Sequence, residues 1–271
     1  MHAPAAATKI TGLVAVGLLL CVGVPGAQSP SAEDVARQVE SRDTGRDSRA
    51  ELKMRLFDRQ GRLRERTLQV TTRRGESKHS DKTLVRFLYP NDIKNTALLV
   101  WEHADSEDER FLFLPAIGRV RRISGEERQD SFAGSDFSYE DIGRRNVDDY
   151  VWTFVDQNAS WVAPDGPKAP AWAIQAVSKD KSTKYPRAVY VVLKDRLIIA
   201  HADTFNQRDE REKAFDVRRL EKVDGIWTAL SVTVTNDRER TRTELDTTTI
   251  RYNVGLKDDD FARRRIEEPV R

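Results

Sequence analysis

From about residue 48 onward, apolar and polar positions alternate with a period of two. Leu52, Met54 and Leu56 alternate with Lys53 and Arg55. Asp58-Arg59-Gln60-Gly61 makes a turn, and residues 63–72 run back with Leu68 and Val70 on one face. Two alternating runs joined by a Gly-containing turn predict a β-hairpin. Further strands are expected over residues 83–89, 97–101 and 110–114. The run 97–101 is apolar on both faces. Residues 124–149 interrupt the pattern. Within them 124–129 reads as a helical turn, 131–139 as an ordered loop or flap, and 141–149 as a short helical or looped piece. Strands resume over 152–156, 172–178, 188–194, 197–205, 213–223, 227–235 and 243–252. A Pro-rich loop at 163–170 is too short for a domain linker. A polar tail follows from Phe261. Before all of this, residues 31–39 predict one short helix, with Ser31 as N-cap, Glu33 and Asp34 in the first turn, and Val35 and Val39 on one face.

The pattern therefore predicts a mainly β protein of about ten to twelve short strands, a sandwich or barrel-like sheet with one dry face and one wet face. The wet face is expected to carry Lys53, Arg55, Arg64 and Arg66, which a lipid-facing barrel wall would not tolerate.

The first residues follow a different rule. Lys9 precedes an uncharged apolar run over 10–24, which ends at Pro25-Gly26-Ala27. A positive start, a short apolar middle and small residues at a cleavage point predict a secretory signal over 1–27, cut near Ala27, and a single domain over 28–271. Cys21 is the one Cys and lies inside that signal. Three bulky leucines precede it, which disfavours lipidation. The exported chain would hold no disulfide. Lys plus Arg number 46 against 44 Asp plus Glu, and 33% of residues are charged. Mixed signs on this scale describe a solvated surface rather than a nucleic-acid stripe.

The chemistry-bearing residues give little sign of catalysis. His79, His103 and His201 are far apart, and no Cys accompanies them, so no metal-ligand spacing is present. Neither a phosphate-cradling glycine loop nor a nucleophile elbow occurs. Acidic runs such as Glu107-Asp108-Glu109 read as surface. The expectation is a non-enzyme with no cofactor.

One stretch is more specific. It reads Arg110-Phe111-Leu112-Phe113-Leu114-Pro115-Ala116-Ile117-Gly118-Arg119-Val120-Arg121-Arg122-Ile123-Ser124. After a short acidic segment it continues Ser131-Phe132-Ala133-Gly134-Ser135-Asp136-Phe137-Ser138-Tyr139-Glu140-Asp141. This paired motif resembles that of the outer-membrane lipoprotein-sorting-protein-like family, the LolA-like periplasmic carriers. The resemblance covers about residues 45–260 and departs at Ile117-Gly118, where the family more often has a bulkier, basic pair.

The resemblance implies a strongly curved antiparallel sheet, an incomplete barrel, with a few covering helices. Its apolar concave face would take acyl chains of a lipid or lipoprotein. It also implies work in the periplasm after Sec-type export, only transient membrane contact, and a partnership with an inner-membrane pump of the resistance–nodulation–division type. A carrier of this kind is the first expectation. An accessory module of an envelope complex is the second, and an envelope enzyme the third. Candidate cavity-wall or core positions are Leu52, Met54, Val85, Phe87, Leu99, Trp101, Phe113, Val191, Leu193, Val232 and Val234, with Phe132, Phe137 and Tyr139 as lid or core aromatics. Pro115 follows the expected strand 110–114 within the first half of the motif. Gly134 is expected to allow a tight turn beside Ser135. Arg119, Arg121 and Arg122 are expected to pair with Asp136, Glu140 or Asp141 and pin the loop, or else to meet a head-group or an anionic partner.

Overall fold

The computed structural model describes residue 1 and residues 29–269, apart from 78, 105, 144 and 165. The export signal, with Lys9, Cys21 and Ala27, lies outside the described residues. Among those described, no helix is long and apolar enough to cross a membrane.

Alternating residues form the strands as expected. The first half contributes β1 (Asp47–Phe57), β2 (Leu63–Arg73), β3 (Lys82–Tyr89), β4 (Ala97–Trp101), β5 (Glu109–Leu114) and β6 (Arg119–Ile123). The second half contributes β7 (Tyr150–Asp156), β8 (Ser160–Val162), β9 (Lys168–Ser178), β10 (Arg187–Leu193), β11 (Ile199–Phe205), β12 (Arg211–Val223), β13 (Ile226–Asn236) and β14 (Thr241–Tyr252). All pair antiparallel in one 14-stranded sheet ordered β6-β5-β4-β3-β2-β1-β14-β13-β12-β11-β10-β9-β7, with β8 beside β9. The chain thus starts at the centre of the sheet, winds out to the β6 edge, crosses to the β7 edge, and winds back until β14 meets β1. The two edges do not pair, so the barrel stays open. Register shifts within β1/β14, β2/β3, β10/β11 and β12/β13 mark bulges, which bend a sheet.

The sheet has two strands beyond those expected. β6 is built from the motif arginines: Arg119, Arg121 and Arg122 pair in register with Leu114, Leu112 and Phe111 of β5. It is an exposed edge, and a charged edge strand carries no apolar alternation to read. β8 is only three residues long. β9 begins at Lys168 and absorbs part of the Pro-rich loop.

The helix expected near Ser31 is α1 (Ala32–Ser41), closed by a capping box between Ser31 and Asp34. Its buried Ala32, Val35 and Ala36 pack with Ile174, Ala176, Ala188, Tyr190, Val192 and Ala202. These lie on the concave face of β9–β11, so α1 fills that half of the barrel.

The tail after β14 is not a free polar tail. Phe261 and Ile266 are 1% and 0% exposed and pack on Ala97, Leu99, Phe111 and Phe113, on the convex face of β4 and β5. Arg86 donates to the carbonyls of Arg265 (2.7 Å) and Ile266 (3.0 Å), and Trp101 Nε1 donates to the Phe261 carbonyl at 3.0 Å. β4 is apolar on both faces because both faces are covered.

Candidate lipid-binding cleft

Segment 124–149 leaves edge strand β6 and reaches the opposite edge, β7. Between them it straps across the open concave side. Phe132 and Tyr139 sink into the apolar floor of the first half, beside Met54, Leu68, Val85, Phe87, Leu98 and Leu112. The Phe132 ring lies 5.5 Å from Phe87 and 5.7 Å from Tyr139. The Tyr139 carbonyl accepts Arg110 Nε at 3.1 Å. Near its middle the strap is tied to the centre of the sheet. Asp136 accepts the hydroxyls of Thr241 and, at 2.7 Å, Thr243, while its own N–H donates to Thr243 Oγ1 at 2.9 Å. Gly134 takes φ +71, which glycine allows at little cost, and so turns the strap toward Ser135 and Asp136. Ser135 Oγ donates to the Phe132 carbonyl at 2.7 Å and closes that turn.

Beyond Asp136 the strap meets a polar belt. The Asp141 carboxylate accepts Ser138 N (2.8 Å) and Oγ (2.9 Å), and it faces Arg145 at 3.1 Å and Lys213 at 3.8 Å. Burial alone would raise the Asp141 pKa. Arg145, Lys213 and the Ser138 donors outweigh it and hold the carboxyl below the ordinary range. Burial pushes Lys213 down, against the pull of Asp141. Arg145 also donates to Tyr190 OH at 2.9 Å. Burial pushes the neighbouring Tyr150 up to about 12. The belt separates the α1-filled half of the barrel from the half beneath the strap.

In that second half a cleft of about 410 Å³ remains between strap and sheet. Its floor is Leu52, Met54, Leu68, Val70, Val85 and Leu245, and its roof is Phe132, Phe137 and Ile142. The mouth is polar, with Arg42, Arg46, Arg73, Arg74, Asp81 and Tyr252. A smaller cavity of about 280 Å³ lies on the far side of the strap. Phe137 lines both. Ligand clefts are typically about 300–1,000 Å³ with an apolar lining and a few polar groups.

The residues singled out in the sequence fall into three groups. Leu52, Met54, Val85, Phe132 and Phe137 line the cleft, and Phe87 lies beneath it, fully buried. Val232 and Val234 share the concave face, opposite Leu245 and Thr243. Leu99, Trp101 and Phe113 face the other way, under the C-terminal segment. Val191 and Leu193 also lie outside the cleft, packed with Ala169, Ala171 and Ala200.

The motif arginines do not reach the acids expected. Arg121 meets Glu127 at 2.8 Å and Arg122 meets Glu109 at 3.7 Å. Asp136 and Asp141 are held instead by Thr241, Thr243, Arg145 and Lys213. Pro115 opens a 3₁₀ turn, Pro115–Ile117, between β5 and β6.

Arg66 was expected on the wet face but points inward. It stands over the Phe87 ring at 5.6 Å and donates to the Ala133 carbonyl, so it pins the strap from below. Burial and nearby Arg64 press its pKa down. The signal was in the strand period: Arg64 and Arg66 lie in step with Leu68 and Val70. The mouth arginines Arg42, Arg46, Arg73 and Arg74 had no such signal, because loop and strand-end residues meet there only in the folded chain.

Comparison with known proteins agrees with this arrangement. A family model described as an uncharacterized protein matches residues 79–268. A crystal structure of a DUF1329 family protein from Desulfovibrio piger is 32% identical, with a TM-score of 0.79 over 87% of this chain and 97% of that one. The chain belongs to the DUF1329 family. It shares the outer-membrane lipoprotein-sorting-protein-like fold of that family's neighbours. A structure described as an outer membrane lipoprotein-sorting protein domain, from Vibrio parahaemolyticus, is 26% identical with a TM-score of 0.80, covering 88% and 98% of the two chains. A LolA superfamily protein from Nitrosomonas europaea has the same fold at 14% identity, with a TM-score of 0.66 over 88% of this chain and all of that one. No curated protein matches. In this member of the family, the two halves of the paired motif do different work. The first half makes β5 and edge strand β6, and the second makes the strap that roofs the cleft.

Proposed function

We propose that this chain is a periplasmic carrier that shelters an acyl chain of a lipid or lipoprotein in the cleft beneath the strap. The observation that carries the reading is the cleft itself, floored by β1–β3 and β14 and roofed by Phe132, Phe137 and Ile142. Each methylene withdrawn from water gains about 0.8 kcal/mol, so a dry groove is sufficient machinery for carriage. The strap is held by the buried rings of Phe132 and Tyr139 and by hydrogen bonds around Asp136 and Arg66, so cargo entry requires those rings to leave the floor. Export over residues 1–27 would place the domain 28–271 between two membranes. An inner-membrane pump of the resistance–nodulation–division type is the donor or acceptor that the family resemblance suggests. The sorting-protein description of the relative from Vibrio parahaemolyticus supports the same direction.

The test is uptake of a fluorescent fatty acid by the detergent-free protein. The wild type should bind it, and Leu52→Trp, which fills the cleft from its floor, should abolish uptake while the far-ultraviolet spectrum stays unchanged. Equal uptake by both would overturn the reading.

One observation favours a second reading, an accessory module without cargo. Packing by α1 fills half of the concave face, so the cleft is a fraction of what an empty half-barrel could offer. That reading expects no uptake by either protein.

A further inference from the structure

The cleft has a polarity. In-register pairs on the concave face form successive rows across β14, β1, β2 and β3. The outermost row is all hydroxyl: Tyr252, Ser48, Thr72 and Thr83. The next holds Ala50, Val70 and Val85, and the one after it Leu52, Leu68 and Phe87. Met54 beside Leu245 follows. At about 3.4 Å per residue, the apolar rows from Ala50 to Met54 span roughly 14 Å. A bilayer leaflet's hydrocarbon is about 15 Å deep, half of a core about 30 Å thick. The apolar floor is therefore about as long as one acyl chain, and its hydroxyl end is the mouth.

Outside the hydroxyl row stand four guanidinium groups, those of Arg42, Arg46, Arg73 and Arg74. Arg74 donates to the Arg42 carbonyl (2.9 Å) and to Thr44 Oγ1 (3.1 Å), contacts that orient it without cancelling its charge. Arg46 is exposed at the mouth, with its backbone N–H held by Asn253 Oδ1 at 2.8 Å. Among the described residues, no carboxylate lies within ion-pairing distance of Arg46 or Arg74. Arg73 shares Asp258 with Lys82. The acidic residues that line the cleft are Asp81, Glu102 and Asp141. Asp81 accepts the Gly75 N–H at 3.0 Å, Glu102 is buried, and Asp141 belongs to the polar belt. Four arginines line the mouth, and arginine forks suit phosphate.

We infer that the cargo is an anionic phospholipid, with its acyl chain along Val70, Leu52 and Met54 and its phosphate at Arg46 and Arg74. This rests on the acyl-carrier reading and narrows it to a cargo class.

The experiment uses the chain purified without detergent and short-chain lipids below their micelle concentration. Dihexanoyl phosphatidylglycerol, dihexanoyl phosphatidylcholine and inorganic phosphate are titrated by calorimetry into the wild type and Arg46→Glu. Arg46 has no side-chain role in packing, so this variant should fold. The wild type should bind the anionic lipid about tenfold tighter than the zwitterionic one. Arg46→Glu should lose that preference and bind both lipids more weakly than the wild type, and phosphate alone should not bind at the same concentrations. Equal affinity of the wild type for both lipids would overturn the inference and leave the carrier reading standing. An unchanged preference in Arg46→Glu would also overturn it. Binding of phosphate as tightly as the lipid would make the mouth a free-anion site and reject the lipid assignment. No binding of either lipid would remove the carrier reading and the inference together.

Discussion

Asp136 is 7% exposed and takes its partners from the two β14 threonines, Thr241 and Thr243. Replacing it with Ala leaves the Thr243 hydroxyl, itself 1% exposed, without its acceptor. Such a loss costs about 1–3 kcal/mol, so Asp136→Ala should lower the urea midpoint accordingly, and Asp136→Asn should lose less because its amide oxygen still accepts. Arg121 contrasts with it. Its partner Glu127 is nearly half exposed, as is Arg121 itself, and exposed pairs contribute about 0.2–1 kcal/mol. Arg121→Ala should therefore leave stability within about 1 kcal/mol of wild type. His201, on the convex face, sits between Asp216 (2.8 Å) and Asp203 (3.2 Å), and bonding to Asp216 is the main reason that its pKa is raised. A raised folded value means that the folded chain holds the proton more tightly than the unfolded chain. The stabilisation is complete below the unfolded value of about 6.5 and is lost as pH rises through the folded value. Urea unfolding from pH 5 to 9 should show this decline in the wild type, and His201→Gln should flatten it. A rise in stability over that window traceable to His201 would contradict the assignment.

Among the elements, the C-terminal segment has the largest expected effect. Phe261 fills the convex face of β4 and β5, and Phe→Ala at such a site costs about 3–5 kcal/mol. Phe261→Ala should lower Tm sharply while leaving the cleft, on the opposite face, unaltered in binding. A loss of lipid uptake without a fall in Tm would contradict this separation of faces. The strands with regular alternation were legible in the sequence to within about four residues at their ends, as was α1 from its Ser31 cap. The C-terminal segment was not, because two buried side chains, Phe261 and Ile266, are diluted among Asp258, Asp259, Asp260 and Arg263, Arg264, Arg265. β6 was obscure for a related reason. It exists through its ladder to β5 and not through an apolar face of its own.

At the scale of the whole molecule, the one-sided strands predicted a sandwich or barrel-like sheet, and the resemblance carried by the paired motif implied the half-barrel. What sequence could not resolve was which apolar residues line space and which fill it. Leu52 borders the cleft and Leu99 is buried under Phe261, yet both are leucines in alternating strands. The difference arises from what covers each face: the strap over one, the C-terminal segment over the other, and α1 over the far half. The central claim is that the space left beneath the strap holds an acyl chain. Native mass spectrometry of the protein, exported and purified without detergent, tests it most directly. The account predicts a species one lipid heavier than the bare chain, released as an acyl-bearing molecule on activation and missing in Leu52→Trp. A spectrum of the bare chain alone, in wild type as in the variant, would contradict it.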